Sequence, residues 1–268
     1  MSLMRAELLA VLGLLVGCAS ASSPDAVSDG GGATSPESGV DASAPEPPPA
    51  PHPTSDVLRA CATKSGDVRT IAEAITRFNA LVPTTDAACF LATLPRPLSV
   101  VATTGLTSAQ PAGGKDSPRM FFLSPTLVIS AVPDGAGSKA VEFGEWVTPT
   151  RTIKGEIALP VQTPLAPGAA FERILFGKDA DRTACATCHR YEERSPTVPG
   201  AFVSAAYKPE PGTFVTVAEL RRFHDACIAS SDTSPRCEMF HAVFDFGEVR
   251  QMCIRDRGSA RVARTCRW

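Results

Sequence analysis

Several resources are scarce in this chain. Lys and Arg (26) do not outnumber Asp and Glu (28), giving a formal charge of −2. That balance excludes a nucleic-acid partner, since phosphate binding requires a basic patch on the folded part. There is no Gly-rich phosphate loop and no Gly-x-Ser-x-Gly elbow, so neither nucleotide-dependent transfer nor serine-hydrolase chemistry has a motif to stand on. Histidine occurs four times and aromatics make up 6% of residues, which excludes sites built from many imidazoles. Between Ala19 and Ser55 there is no Lys, no Arg and no large aromatic residue. That stretch is Ser, Ala, Pro, Gly and acid, including Gly30-Gly31-Gly32 and Pro47-Pro48-Pro49, and it cannot bury enough apolar area to offset its ordering entropy. Residues 18–55 are therefore expected to be a disordered tether, with a reach of about 30 Å or more. His52, among prolines there, is expected to be solvated.

The apolar run Leu8 to Val16, preceded by Arg5, is too short for a permanent span and has the layout of an export signal over residues 1–17. It ends in Leu15-Val16-Gly17-Cys18, which resembles a bacterial lipobox. The resemblance implies cleavage before Cys18 and acylation of its thiol, hence a membrane anchor. Ala19 and Ser20, with no Asp after the cysteine, resemble the pattern that sends lipoproteins to the outer membrane, on its periplasmic side or at the cell surface. An exported chain with nine cysteines invites disulfides. Cys61 with Cys89, and Cys227 with Cys237, pair by sequence proximity.

Order is expected from about Asp56. Val68, Ile71, Ala72, Ile75, Phe78 and Leu81 recur at helical spacing and stop at Pro83. Strands are expected at Leu98 to Thr103, Met120 to Leu123, Thr126 to Val132, Ala140 to Val147 and Ile153 to Leu159. Asp134-Gly135-Ala136-Gly137 supplies a turn between two of them. Residues 56–165 thus read as an α+β domain of one helix and antiparallel strands, in which Glu142, Glu145, Glu156, Arg119 and Lys154 form a solvated sheet face. No catalytic residue is assigned.

The chemistry concentrates in Thr183-Ala184-Cys185-Ala186-Thr187-Cys188-His189. Two thiols three positions apart can add across the vinyl groups of a haem, and the adjoining His189 can ligate its iron. One covalent haem c is expected at Cys185, Cys188 and His189. A Cys-x-x-Cys pair alone would equally suit thiol redox, or a zinc site recruiting His224 or His241. Helices are expected at Ala169 to Gly177, Val215 to Ser230 and Cys237 to Val249, and short helices around such a motif resemble the small, mostly α, monohaem c-type cytochrome domain, here over 166–249. The resemblance implies an apolar lining, with Phe171, Leu175, Phe223, Phe240 and Phe244 as candidates, and a distal ligand. Met239 is the first candidate for that ligand, His241 and His224 the weaker ones.

The run Ile174 to His189 also resembles the first-haem segment of dihaem cytochrome c peroxidases, a family with two such motifs where this chain has one. Beyond Val249 the composition turns Arg-rich, and Gln251-Met252-Cys253-Ile254-Arg255-Asp256-Arg257 resembles a translated sequencing adapter. Residues 250–268 therefore read as a doubtful tail, with a basic tail as the alternative. The function expected is membrane-tethered electron transfer to a redox partner protein. A haem enzyme, peroxidase-like, and a sensory or scaffold lipoprotein are the alternatives.

Overall fold

The computed structural model describes residues 54–83, 85–177, 181–206 and 212–252. The signal segment, Cys18, the tether to residue 53 and the tail from Cys253 through Cys266 lie outside them. In chain order the elements are α1 (Asp56–Ala62), α2 (Ile71–Leu81), α3 (Ala87–Ala92), β1 (Leu98–Thr103), β2 (Arg119–Leu123), β3 (Leu127–Ala131), β4 (Ala140–Thr148), β5 (Arg151–Ala158), α4 (Ala169–Glu172), β6 (Glu193–Arg194), β7 (Phe202–Ala205), β8 (Phe214–Val215), α5 (Val217–Ser230), α6 (Pro235–Phe244) and β9 (Val249–Gln251).

The helix starts follow local chemistry. The Thr70 hydroxyl accepts from the Glu73 amide at α2, and the N-terminal amide of Ile71 donates to the Glu145 carboxylate across from it. Thr216 and Glu219 close a capping box on α5, and Ser234 with Pro235 opens α6. Ser55 caps α1 and also donates to Glu238, so the start of α1 lies against α6.

All strands belong to one sheet in the order β6-β7-β5-β4-β3-β2-β1-β8, with β9 parallel to β1 beside β8. This overturns the expected architecture. No small mostly α cytochrome domain stands over 166–249: β6 and β7 extend the β5 edge, while β8 and β9 complete the β1 edge. The described residues all fall in one unit. Three helices rather than one precede β1. The composition break at Arg250 falls within β9, where Arg250 pairs with Ser99 and Gln251 with Val100.

Strand alternation gives the sheet two different faces. Val100, Ala102, Met120, Phe122, Ile129, Val141, Phe143, Ile153 and Ile157 face the helices in the main core. There Phe90 stacks on Phe78 at 4.3 Å between centroids and meets Phe143 edge-on at 6.2 Å. A methyl group at Gly155 would sit 3.3 Å from Ile71 and Ala170, so the absent side chain lets α2 and α4 approach β5. The Cys61–Cys89 bond ties α1 to α3 at a Cα separation of 5.4 Å, and Cys227–Cys237 ties α5 to α6 at 5.5 Å, matching both expected pairings. Among the described residues no helix is long and apolar enough to cross a membrane.

Candidate functional site

The other face of the sheet carries Arg119, Ser130, Glu142, Thr152 and Lys154. It is covered rather than solvated: Arg119 is 6% exposed and Lys154 7%. A satisfied polar network accounts for this. Arg119 pairs with Glu142 at 2.6 Å and donates to the Ser130 hydroxyl from Nε (3.1 Å) and Nη2 (2.9 Å). Ser130 in turn donates to Gln110, whose amide nitrogen donates to the carbonyls of Ala140 (2.7 Å) and Gly137 (3.1 Å). Lys154 donates to Thr152 at 2.6 Å.

The Cys-x-x-Cys-His segment is electrostatically coupled to this face, through Lys154, Glu142 and Arg119. Thr183, 2% exposed, organises its start. Its amide and hydroxyl donate to Glu192 (2.7 and 2.5 Å) while its oxygen accepts from the Cys185 amide at 3.1 Å. The chain then closes a short 3-10 turn over Ala184–Thr187, and the Cys185 carbonyl accepts from the amides of Cys188 (3.1 Å) and His189 (2.8 Å). Cys185, Cys188 and His189 therefore share one side of a turn. Of the described cysteines these two alone are not in disulfides; Cys185 is half-buried and Cys188 exposed.

His189 is fixed from the sheet. Its Nδ1 lies 2.8 Å from the carbonyl of Ala205, the last residue of β7, which pairs with Arg151 of β5. A carbonyl only accepts, so Nδ1 carries the proton and Nε2 the lone pair. Burial, then the Lys154 and Arg119 charges, push the imidazolium down to about 4 against the Ala205 bond, leaving the ring neutral. Burial, then Glu142, pushes the Cys185 thiol up to about 11. Burial likewise pulls the Lys154 ammonium down to about 8. Tyr191, two residues on, adopts a left-handed φ of 59°, and its carbonyl accepts from Arg151 at 2.6 Å, holding the turn to β5.

The expected distal ligands are elsewhere. Met239 is buried in the helical core, 4% exposed. His224 and His241 meet each other at a ring separation of 5.1 Å, with Asp245 between them. They sit on α5 and α6; α5 packs on β1 and β9, and α6 on α5 and α3. From β5 to β1 the sheet order takes four steps, about 19 Å at ~4.8 Å each. The structure thus groups His224 with His241 and separates both from His189. Of the expected apolar lining, Leu175 lies beside the turn through its bridge to Thr183. Phe171 is in the main core, and Phe223, Phe240 and Phe244 belong to the α5–α6 cluster.

Arg119, Lys154, Glu142, Glu192 and the Ala205 carbonyl were not legible as site components. For Lys154 the signal was the polar set Thr152, Lys154 and Glu156 at alternate positions of β5, which fixes a side of the sheet but not what covers it. The chain matches no known family model, no curated protein and no solved structure.

Proposed function

We propose that Cys185 and Cys188 hold one haem through thioether bonds, that His189 offers Nε2 as an axial ligand, and that the protein exchanges electrons with a redox partner at the membrane to which Cys18 tethers it. The observation that carries this is the Nδ1–H to Ala205 carbonyl bond, which fixes the tautomer a metal-ligating imidazole requires. The thiols also discriminate between chemistries. A thioether is uncharged and tolerates the half-buried place of Cys185, whereas thiol redox needs a thiolate, which burial and Glu142 disfavour there. When bound, the group supplies one-electron exchange at iron, with a potential set by axial ligation and burial. The chain's own part is to orient the ring of His189, keep it neutral, and place Lys154 and Arg119 as fixed positive charge beside it.

A second reading, a haem enzyme, draws on the separation of Met239, His224 and His241 from His189, since none of them closes the other axial position. Peroxide-dependent dye oxidation by the haem-loaded protein would favour it.

The deciding experiment is a pyridine haemochrome assay on the chain produced with a cytochrome maturation system. One acid-acetone-resistant haem per chain is expected, lost in the Cys185→Ala/Cys188→Ala double variant. Folded wild-type protein without covalent haem overturns the proposal. Cys18→Ala should release the protein from membranes, and unchanged acyl labelling would overturn the anchor.

A further inference from the structure

We propose that His224 Nε2, His241 Nδ1 and the Asp245 carboxylate form a binding site for a divalent transition cation of the zinc class, distinct from the Cys185–His189 turn and independent of whether that turn carries haem.

The geometry follows from a crosslinked helical hairpin. Residues 231–234 join α5 to α6, and the Cys227–Cys237 bond fixes their register. His224 precedes Cys227 by three positions and His241 follows Cys237 by four, so both imidazoles lie one turn from the bond on facing sides. Asp245, four residues after His241, shares its face. The carboxylate oxygens lie 2.7 Å from His224 Nε2 and 2.7 Å from His241 Nδ1, and the three donor atoms are all within 4.8 Å of one another. Donors about 2.1 Å from a tetrahedral cation stand about 3.4 Å apart, which small side-chain rotations reach from here. Two imidazoles and one carboxylate suit zinc-class cations rather than magnesium or calcium.

A second observation points outward from the same ring. His224 Nδ1 is buried without a hydrogen-bond partner on a side chain only 8% exposed, and it faces the Asp225 carboxylate at 3.7 Å. With the proton on Nε2, toward Asp245, that arrangement aims a lone pair at an acceptor. Metal on Nε2 moves the proton to Nδ1, where Asp225 can take it as the outer partner of a metal-bound imidazole. The surrounding charge is favourable. Asp225 lies beside His224, Glu238 lies beside His241, and the facing cation, Arg96, is engaged by the carbonyls of Ala242 (2.6 Å) and Val243 (2.8 Å). The Asp245 side chain remains 16% exposed and accepts from Thr54 Oγ1 at 2.7 Å, so solvent can reach the carboxylate and supply a fourth ligand.

The test is a cobalt(II) titration of the full chain with disulfides intact and free thiols alkylated. Ligand-field bands should saturate at one cobalt per chain without a thiolate charge-transfer band, and zinc should displace them. His224→Gln and His241→Gln should each weaken binding by about 100-fold, and the exposed Asp225→Asn by about 10-fold. Absence of the bands, or affinity unchanged in the two glutamine variants, overturns the site. If those variants do not fold, unchanged affinity in Asp225→Asn overturns it alone.

Discussion

The molecule holds its histidines in two ways, at opposite ends of one sheet. At the β5–β7 edge a backbone carbonyl holds His189, and burial, then positive charge from Lys154 and Arg119, keeps the ring neutral. On the α5–α6 hairpin a carboxylate holds His224 and His241; hydrogen bonding to Asp245 raises the His241 pKa, opposed by burial. A carbonyl fixes a tautomer without adding charge, so it holds the imidazole in its neutral form. A carboxylate attracts positive charge, whether proton or metal.

If the two settings are independent, breaking one should spare the other. Removing the carboxylate is the severest test. Asp245→Ala leaves two buried imidazoles without their shared acceptor and should destabilise the protein by about 3 kcal/mol in urea unfolding, with haem content per folded chain unchanged. Opening the crosslink next to it, with Cys227→Ser/Cys237→Ser, should cost a little less, about 2–3 kcal/mol, and should lower cobalt affinity by loosening the hairpin. On the other side, Thr183→Ala removes the cap of the Cys185 turn and leaves Glu192 only the residue 183 amide as a donor there. Its expected cost is about 1–2 kcal/mol, with reduced haem retention and unaltered cobalt binding; parallel loss of both would join the two regions energetically. Lys154→Met should have the smallest effect. Because burial is the larger cause of the low His189 pKa and Lys154 the second, the variant should raise that pKa only part of the way, followed by NMR titration of the haem-free protein.

The sequence showed these regions unequally. Strands β1 to β5 were readable because they are runs of five to nine residues rich in β-branched, aromatic and other apolar side chains with turn residues between them. Glu193–Arg194 and Phe214–Val215 are two residues each, too short to carry a period, and Phe214–Val215 pairs with β1, distant in sequence. Without them the second half resolved into helices and loops, and the cytochrome-like architecture followed. The spacing of Cys185, Cys188 and His189 was visible at once, since the three residues lie within five positions of one another. Burial of Lys154 and Arg119 was not, because alternation reports which way a side chain points and is silent about the loops that roof it. His224 and His241 stood out singly as ligands, but their relation to Asp245 depends on a helix crossing that only packing reveals.

The position of β9 has a consequence for how the chain reaches this state. Leu98 to Val100, near the middle of the sequence, find their outer neighbours at Val249 to Gln251, near its end. Such distant pairing raises contact order and slows folding, and until the last segment emerges β1 offers an unpaired edge. A truncation ahead of Val249 should therefore reveal itself first as strand-edge aggregation.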